Sequence, residues 1–508
     1  MAAFLWYFGI PIAFLVRVLY LSLSRNLATS RAAGRYGCKD PPNLPSRDPL
    51  FNFDIVRHSL RMAAKDRRIR SIYEQLHSYD FTFQSWPFGK RVISTTDPKN
   101  IQFVFATEAA KFGIGPQREH AQGPLTGLGI VTSDDPIWSR MRPLIRPTFT
   151  RTQIADRESF DVHVSRFMEL LPSDGSEVNL RPLFERLILD SSSEFIFGES
   201  FGSLLLDCKV DSKKFIESFN NGQKGVGKRV LFGKMSFLIR DAKFWESCSL
   251  VQEYTRRLVE NALARRRKAQ EPGENEDDLP NRKYVLVYEL AKETDDRDVL
   301  RSQLLNIFFA GRDTPATALT NMFFALARHS RVWSKIREEV KDLRPEDLTF
   351  EKLKSLRYVQ HVINEALRLH PPVANNSRVC LQTTMLPTGG GPDRKSPILV
   401  FPGDTISMSF YTLHRRADIF LDPEEFRPER WQTLRTTWEF LPFGGGPRHC
   451  PAQQLALFWI GYVLVRMALR FRELRNMDPV ENFVEDLKLN MESKNGARVG
   501  LVFDERRS

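Results

Sequence analysis

The segment Phe443–Ala452, FGGGPRHCPA, sets one of five cysteines in 508 residues beside three glycines, an arginine and a histidine. Apolar residues at Leu455, Ala456, Trp459 and Val463 predict a helix just beyond it. Cys450 then occupies a glycine-permitted loop at a helix start, where backbone N–H groups stabilise a thiolate and lower the thiol pKa. Such a thiolate can be a nucleophile or a metal ligand, and a buried structural cysteine is the plain alternative. His449 is adjacent, but neighbouring side chains in a loop diverge and no other triad pattern accompanies it. A single thiolate without Cys or His at metal spacing cannot hold zinc. It can hold haem iron, because the porphyrin supplies the other four ligands.

A second constellation is FFAGRDTPATAL. Gly311 and Pro315 both cost helical stability at an apolar helix centre, so their joint presence calls for a reason. Pro315 cannot donate to the carbonyl of Gly311, and Gly311 opens space beside the backbone; a local kink is predicted, flanked by Asp313 and Thr314. The plain alternative is a Pro-kinked core helix with those two side chains in solvent. Glu365 and Arg368 in NEALRLHPP stand at i,i+3, ordinarily a surface pair worth ~0.2–0.5 kcal/mol. Trp138 and Arg142 in PIWSRMRPLIRPTF also read as ordinary amphipathic-helix residues.

The elements that must position these groups are mostly helical. LKSLRYVQHVINEALRLH repeats apolar residues at threes and fours from Leu356 to Leu367, and residues 297–330 form a longer helical stretch. RRRKAQEPGENEDDLPN, Arg265 to Asn281, reads as an exposed loop. Beyond His370, SPILVFPGDTISMSFY and LKLNMESKNGARVGLVF alternate like short strands. The expected class is mainly α with small β-sheets in one large domain.

With 42% hydrophobic residues and 38 Phe, the chain can fill a large core and is not disordered. The net charge of +12 is spread without basic blocks, which argues against nucleic acid and leaves a solvated surface or attraction to an anionic membrane or acidic partner. The other four cysteines, Cys38, Cys208, Cys248 and Cys380, are far apart and read as ordinary thiols in a reducing environment. From Ala2 to Leu23 an apolar run is interrupted mainly by Arg17, and Arg25, Arg31, Arg35 and Lys39 follow it. This predicts a retained membrane anchor at 1–25 with the downstream side in the cytoplasm, rather than a cleaved signal peptide. A Pro-rich hinge is expected at 26–50 and the catalytic body at 51–508.

Taken together, FGGGPRHC resembles the haem-thiolate signature of the cytochrome P450 family, Phe-x-x-Gly-x-Arg-x-Cys, at Phe443, Gly446, Arg448 and Cys450. The family usually has glycine two residues after the cysteine, where this chain has the small Ala452. The resemblance implies the P450 fold and haem b with the Cys450 thiolate as axial ligand. It further implies that Glu365, Arg368 and Arg430 of FRPERW form a buried structural cluster. Asp313 and Thr314 would be the acid and alcohol that relay protons, at a kink shaped by Gly311 and Pro315, although many relatives have Thr or Ser in place of that proline. Trp138, Arg142, Arg378 of NNSRV and Arg448 match groups that reach the haem propionates, for which the guanidinium fork is apt. His414 is expected to be structural.

The stretches AGRDT, MLPTGGGPDRKSPI and LHRRADIF look most like the fungal alkane and fatty-acid hydroxylase branch. The implied activity is a monooxygenase acting on a lipophilic substrate, with electrons from NADPH through NADPH-cytochrome P450 reductase, anchored to the endoplasmic reticulum membrane. By family position the pocket would draw on Phe112 to Ile130, the region before Gly233, Phe308 to Thr314, Val373 to Asn376 and the turn near Met491. Two alternatives differ in class: a haem-thiolate isomerase or dehydratase working without reductase, and a non-enzymatic haem-binding membrane protein.

Overall fold

Stretches with apolar residues at threes and fours fold into helices, and the glycine- and proline-marked stretches between them become turns or short strands. In this computed structural model the described residues are 10–48, 51–149, 157–205, 210–232, 236, 239–269 and 284–504. They are mainly helical with small sheets.

The first helix, α1 (Ile10–Tyr36), continues past Arg25, the expected end of the anchor. Residues 1–9 of that anchor lie outside the described residues, and among the described residues no helix is long and apolar enough to cross a membrane. The Pro-bearing segment that follows is bound to the body: Gln84 N donates to Pro42 O (2.8 Å) and Leu44 N to Gln84 O (2.7 Å). Proline lacks a donor, so its carbonyl does the pairing. The buried Arg91 adds a 2.7 Å contact to Asp40. Most of the stretch from Arg265 to Asn281 also lies outside the described residues, as does Cys208.

Nine further helices frame the site: α2 (Pro116–Thr126), α3 (Ile137–Ile145), α4 (Leu180–Phe197), α5 (Val210–Phe232), α6 (Ala242–Ala269), α7 (Arg297–Gly311), α8 (Thr314–Ala327), α9 (Arg357–Leu369) and α10 (Gln453–Arg470). Asp296 starts α7 by accepting from Asp298 N (3.0 Å) and Val299 N (3.1 Å), and Gly198 ends α4 at φ +83°. The main core packs α4, α8, α9 and α10 through residues such as Phe184, Phe323, Ile363 and Val463, all essentially inaccessible. Each such burial is worth ~1.5–3 kcal/mol. A second core joins α4, α5, α6 and α7 through Phe197, Phe215, Phe219 and Phe308.

One mixed sheet has the order β1-β2-β8-β5-β3, with β1 (Thr82–Ser85), β2 (Val92–Thr95), β3 (Phe112–Gly113), β5 (Asn375–Cys380) and β8 (Thr405–Ser409). Within it β2 runs parallel to β8, and β5 lies antiparallel to β8 with Arg378 opposite Ile406. A second sheet joins β4 (Asp174–Asn179), β12 (Arg498–Phe503) and β9 (Phe471–Asn476). Two hairpins complete the set: β6 (Thr384–Gly390) with β7 (Ser396–Val400), and β10 (Glu485–Leu487) with β11 (Met491–Ser493).

Candidate active site

Cys450 sits two residues before Ala452, the first flanking residue of α10, at the end of a loop that closes through Cys450 N to Phe443 O (2.9 Å). Gly446 takes φ +66°, and a Cβ there would lie 1.8 Å from the carbonyl oxygen of Phe105. A Cβ on Gly445 would meet the Trp438 ring at 2.6 Å. Both glycines therefore allow close approach of other parts of the chain to the Cys450 loop. Burial pushes the Cys450 thiol up, while the backbone N–H of Ala452 and the Arg142 guanidinium pull it down. His449 turns Nδ1 to Gly446 O (2.9 Å), and its carbonyl accepts from Arg142 Nη2 (2.9 Å), so its ring is occupied away from the sulfur.

Beside this loop lies a cluster that sequence motifs show only in part. Arg448 pairs with Asp134 at 3.0 Å, donates to Ser133 O (3.1 Å) and lies 4.4 Å over the Trp138 ring. Asp134 also accepts from the backbone of Ile114 (2.9 Å) and Gly115 (3.0 Å). Arg378 reaches in from β5, holds Asn376 Oδ1 (2.8 Å) and stands 4.7 Å over the Phe105 ring. Burial first, and then the neighbouring Arg118 and Arg448, bring its pKa down to about 9. Arg118, from α2, is held below its ordinary value by burial and by Arg448. Arg118 and Asp134 carry no motif: PQREHAQ reads as a polar helix turn and TSDDP as a bend.

The charges in this cluster do not balance. Arg118, Arg378 and Arg448 act on one another with Asp134 as the carboxylate among them. At the rim, Asp135 raises the Arg448 pKa and Arg142 lowers it. Three guanidiniums are thus set around the single carboxylate of Asp134, and their chemistry fits a ligand that brings carboxylates of its own to the neighbourhood of the Cys450 thiol, as the two propionates of haem b would. The residues present therefore fit the cofactor that the sequence implies.

The stretch 297–330, read as one kinked helical run, holds two helices, α7 and α8, separated by Arg312 and Asp313. Pro315 has no N–H for the Gly311 carbonyl, and Thr314 Oγ1 donates to Ala310 O (2.8 Å). A Cβ on Gly311 would meet nothing within 4 Å. Ala310 is exposed and residues 309 and 311–314 are part-buried, between the buried stretches 302–308 and 315–327, so the junction of the two helices borders an opening. Asp313 and Thr314, adjacent in sequence, turn to different walls. Asp313 pairs with Arg312 (2.9 Å) and accepts from Gln223 Nε2 on α5 (2.8 Å), and Arg312 Nη2 reaches Asn220 on the same helix (2.6 Å). Thr314 Oγ1 accepts from Asn490 Nδ2 at 3.3 Å.

Glu365, Arg368 and Arg430 come together with no access to solvent at the carboxylate. Arg368 Nε and Nη2 grip Glu365 as a fork at 2.9 Å each, Arg430 Nε adds a third contact at 2.9 Å, and Trp431 Nε1 a fourth at 3.0 Å. The remaining guanidinium N–H groups donate to carbonyls of Leu421, Asp422, Pro423 and Glu425, which ties α9 to residues 421–425. His414 Nε2 accepts from Leu441 N (2.9 Å), and burial takes its pKa down to about 3, a neutral structural ring.

Comparison with known proteins places this geometry in context. The family model "Cytochrome P450" matches residues 49–496. Cytochrome P450 monooxygenase himC of Aspergillus japonicus is 39% identical over 473 residues, covering 92% of this chain and 84% of that protein. Cytochrome P450 52A12 of Debaryomyces hansenii is 38% identical, covering 87% of this chain and 88% of the relative. The fold is similar to the crystal structure of the cytochrome P450DA heme domain, with a TM-score of 0.72 at 19% identity, covering 92% of this chain and 97% of the other.

Proposed function

Since the chain belongs to the cytochrome P450 family and is a monooxygenase, we propose that it oxidises a lipophilic substrate, an alkyl or fatty-acyl chain or an apolar secondary-metabolite intermediate. One atom of dioxygen enters the substrate and the other leaves as water, with electrons from NADPH through NADPH-cytochrome P450 reductase. The carrying observation is the buried cluster of Arg118, Arg378 and Arg448 around the one carboxylate of Asp134 near Cys450.

In this reading Cys450 Sγ would hold the iron of haem b, and the arginine cluster with Trp138 and Arg142 would hold its two propionates. Bound haem supplies dioxygen activation and the capacity to oxidise an unactivated C–H bond. The chain's own groups do the rest. The Ala452 N–H and the Arg142 guanidinium favour the thiolate form of Cys450. Glu365, Arg368 and Arg430 fix the loops below. Thr314 Oγ1 and the Asp313 carboxylate manage protons beside the opening at the junction of α7 and α8. The apolar Leu128 and Leu489, both well exposed, suit a hydrocarbon surface.

The expected setting is the cytoplasmic face of the endoplasmic reticulum, with the apolar run from Ala2 to Leu23 as anchor and a basic body that docks the acidic face of a reductase. Metabolites would be compared between a reductase-supplying host with and without this protein. An oxygenated product dependent on reductase is expected. A ferrous–CO band near 420 nm, rather than about 450 nm, in intact protein would sink thiolate ligation. A rearranged product formed without reductase would replace the monooxygenase reading by an isomerase.

A further inference from the structure

We propose that Asn490 is a positioning residue for Thr314: its carboxamide donates to Thr314 Oγ1 and keeps that hydroxyl's proton from turning to the β10–β11 hairpin, so that it moves only between the Ala310 carbonyl and the opening. The inference rests on the reading of Thr314 as a proton-handling group.

A threonine hydroxyl has one proton and two acceptor lone pairs. Here Oγ1 donates to Ala310 O at 2.8 Å and accepts from Asn490 Nδ2 at 3.3 Å. An amide NH2 can only donate, so the Oγ1 proton cannot point at Asn490. It has two remaining directions, the Ala310 carbonyl and the opening at the junction of α7 and α8. Rotation between those two directions is a small local change that keeps the Asn490 contact in place.

Asn490 is held ready for this role by contacts that do not involve its own side chain. It sits at the tip of the β10–β11 hairpin. Two turns further along α8 from Thr314, the buried Asn321 grips the same hairpin, donating to Met491 O (3.0 Å) and accepting from Ser493 N (3.0 Å). Met491 N also donates to Pro372 O at 2.7 Å. The hairpin thus lies along α8, fixed by backbone and by Asn321. Replacing the Asn490 side chain removes its donor without unseating the turn that carries it.

Asn490→Asp keeps the shape and exchanges the donor for an acceptor, so the Thr314 proton turns to the new carboxylate. Asn490→Ala removes the donor only. With reductase, NADPH and a substrate that shifts the haem spin state, Asn490→Asp should raise the share of electrons lost as peroxide severalfold, toward the level of Thr314→Ala, and Asn490→Ala about twofold. In a Thr314→Ala background neither should add anything. A readout independent of turnover is the infrared C–O stretch of the ferrous carbonyl adduct, which senses a nearby donor; Asn490→Asp should shift it in the direction that Thr314→Ala does.

If Thr314→Ala changes peroxide release and the stretch while Asn490→Asp changes neither, Asn490 does not position Thr314. If the Asn490 effects persist undiminished without the Thr314 hydroxyl, the residue is merely structural and the proposal falls. If Thr314→Ala itself moves nothing, the proton role of Thr314 fails first and the inference goes with it.

Discussion

Replacing Arg378 by methionine should move the cofactor-free and haem-loaded proteins in opposite directions. The guanidinium is 6% exposed and crowded by Arg118 and Arg448, and its pKa falls from 12.5 to about 9. At ~1.4 kcal/mol per pH unit, keeping it charged costs the empty fold on the order of 5 kcal/mol, an upper limit before local relaxation. Against this, methionine forfeits hydrogen bonds to Asn376 Oδ1 and Ser377 O, both 2.8 Å, at ~1 kcal/mol each. Its apolar chain can still lie over the Phe105 ring. The balance favours the cofactor-free variant by ~1–3 kcal/mol, read as a higher midpoint in urea unfolding. Loaded protein loses one charge-assisted contact to a propionate, worth ~1.5–3 kcal/mol, and should release haem to an acceptor globin roughly 10- to 100-fold more readily. If both forms are destabilised alike, Arg378 is a structural residue and the charge-imbalance argument is wrong.

Glu365→Gln leaves two buried guanidiniums without their carboxylate and should cost ~3–5 kcal/mol, seen as a large fall in the thermal midpoint with loss of the band near 450 nm. Full retention of both would count against the cluster as a lock. Glu492 shares Arg181 with Glu185 and Asp486, and burial pushes its pKa up to about 7 from 4.5. The folded state therefore binds more protons than the unfolded one between pH 4.5 and 7, so this group's contribution to stability falls as pH rises through that window, by at most on the order of 3 kcal/mol. Glu492→Gln should flatten the pH profile of the thermal midpoint there; an unchanged slope would refute the assignment. Gln223→Leu removes a donor from Asp313 and leaves Thr314 untouched, so the solvent hydrogen isotope effect on turnover should rise more than peroxide release does. Equal movement of both would show that the two groups act as one.

What could be read in the sequence was local. Glu365 and Arg368 share one helix, where spacing gave the pair and the family resemblance its burial, and Phe443, Gly446, Arg448 and Cys450 share one octapeptide that carried the resemblance. The break at Gly311 and Pro315 was legible because each residue disfavours helix for its own chemical reason. Arg118 and Asp134 were not, because the charge they complete is assembled from α2, a loop, β5 and the Cys450 loop. Nor were Gln223 and Asn490, whose partners stand 90 and 176 residues away. Hydrophobic period speaks for one element at a time, and polar contacts between elements leave no trace in it.

The positions of Asp313 and Thr314 show how adjacent residues come to have different partners. Arg312 and Asp313 keep αR backbone angles between α7 and α8, so successive side chains still point about 100° apart. The acid is held to α5 by Gln223, and by Arg312 through Asn220, while the alcohol faces the β10–β11 hairpin. The two groups to which the proposed function gives the handling of protons are thus held by different elements, the acid by α5 and the alcohol by the β10–β11 hairpin.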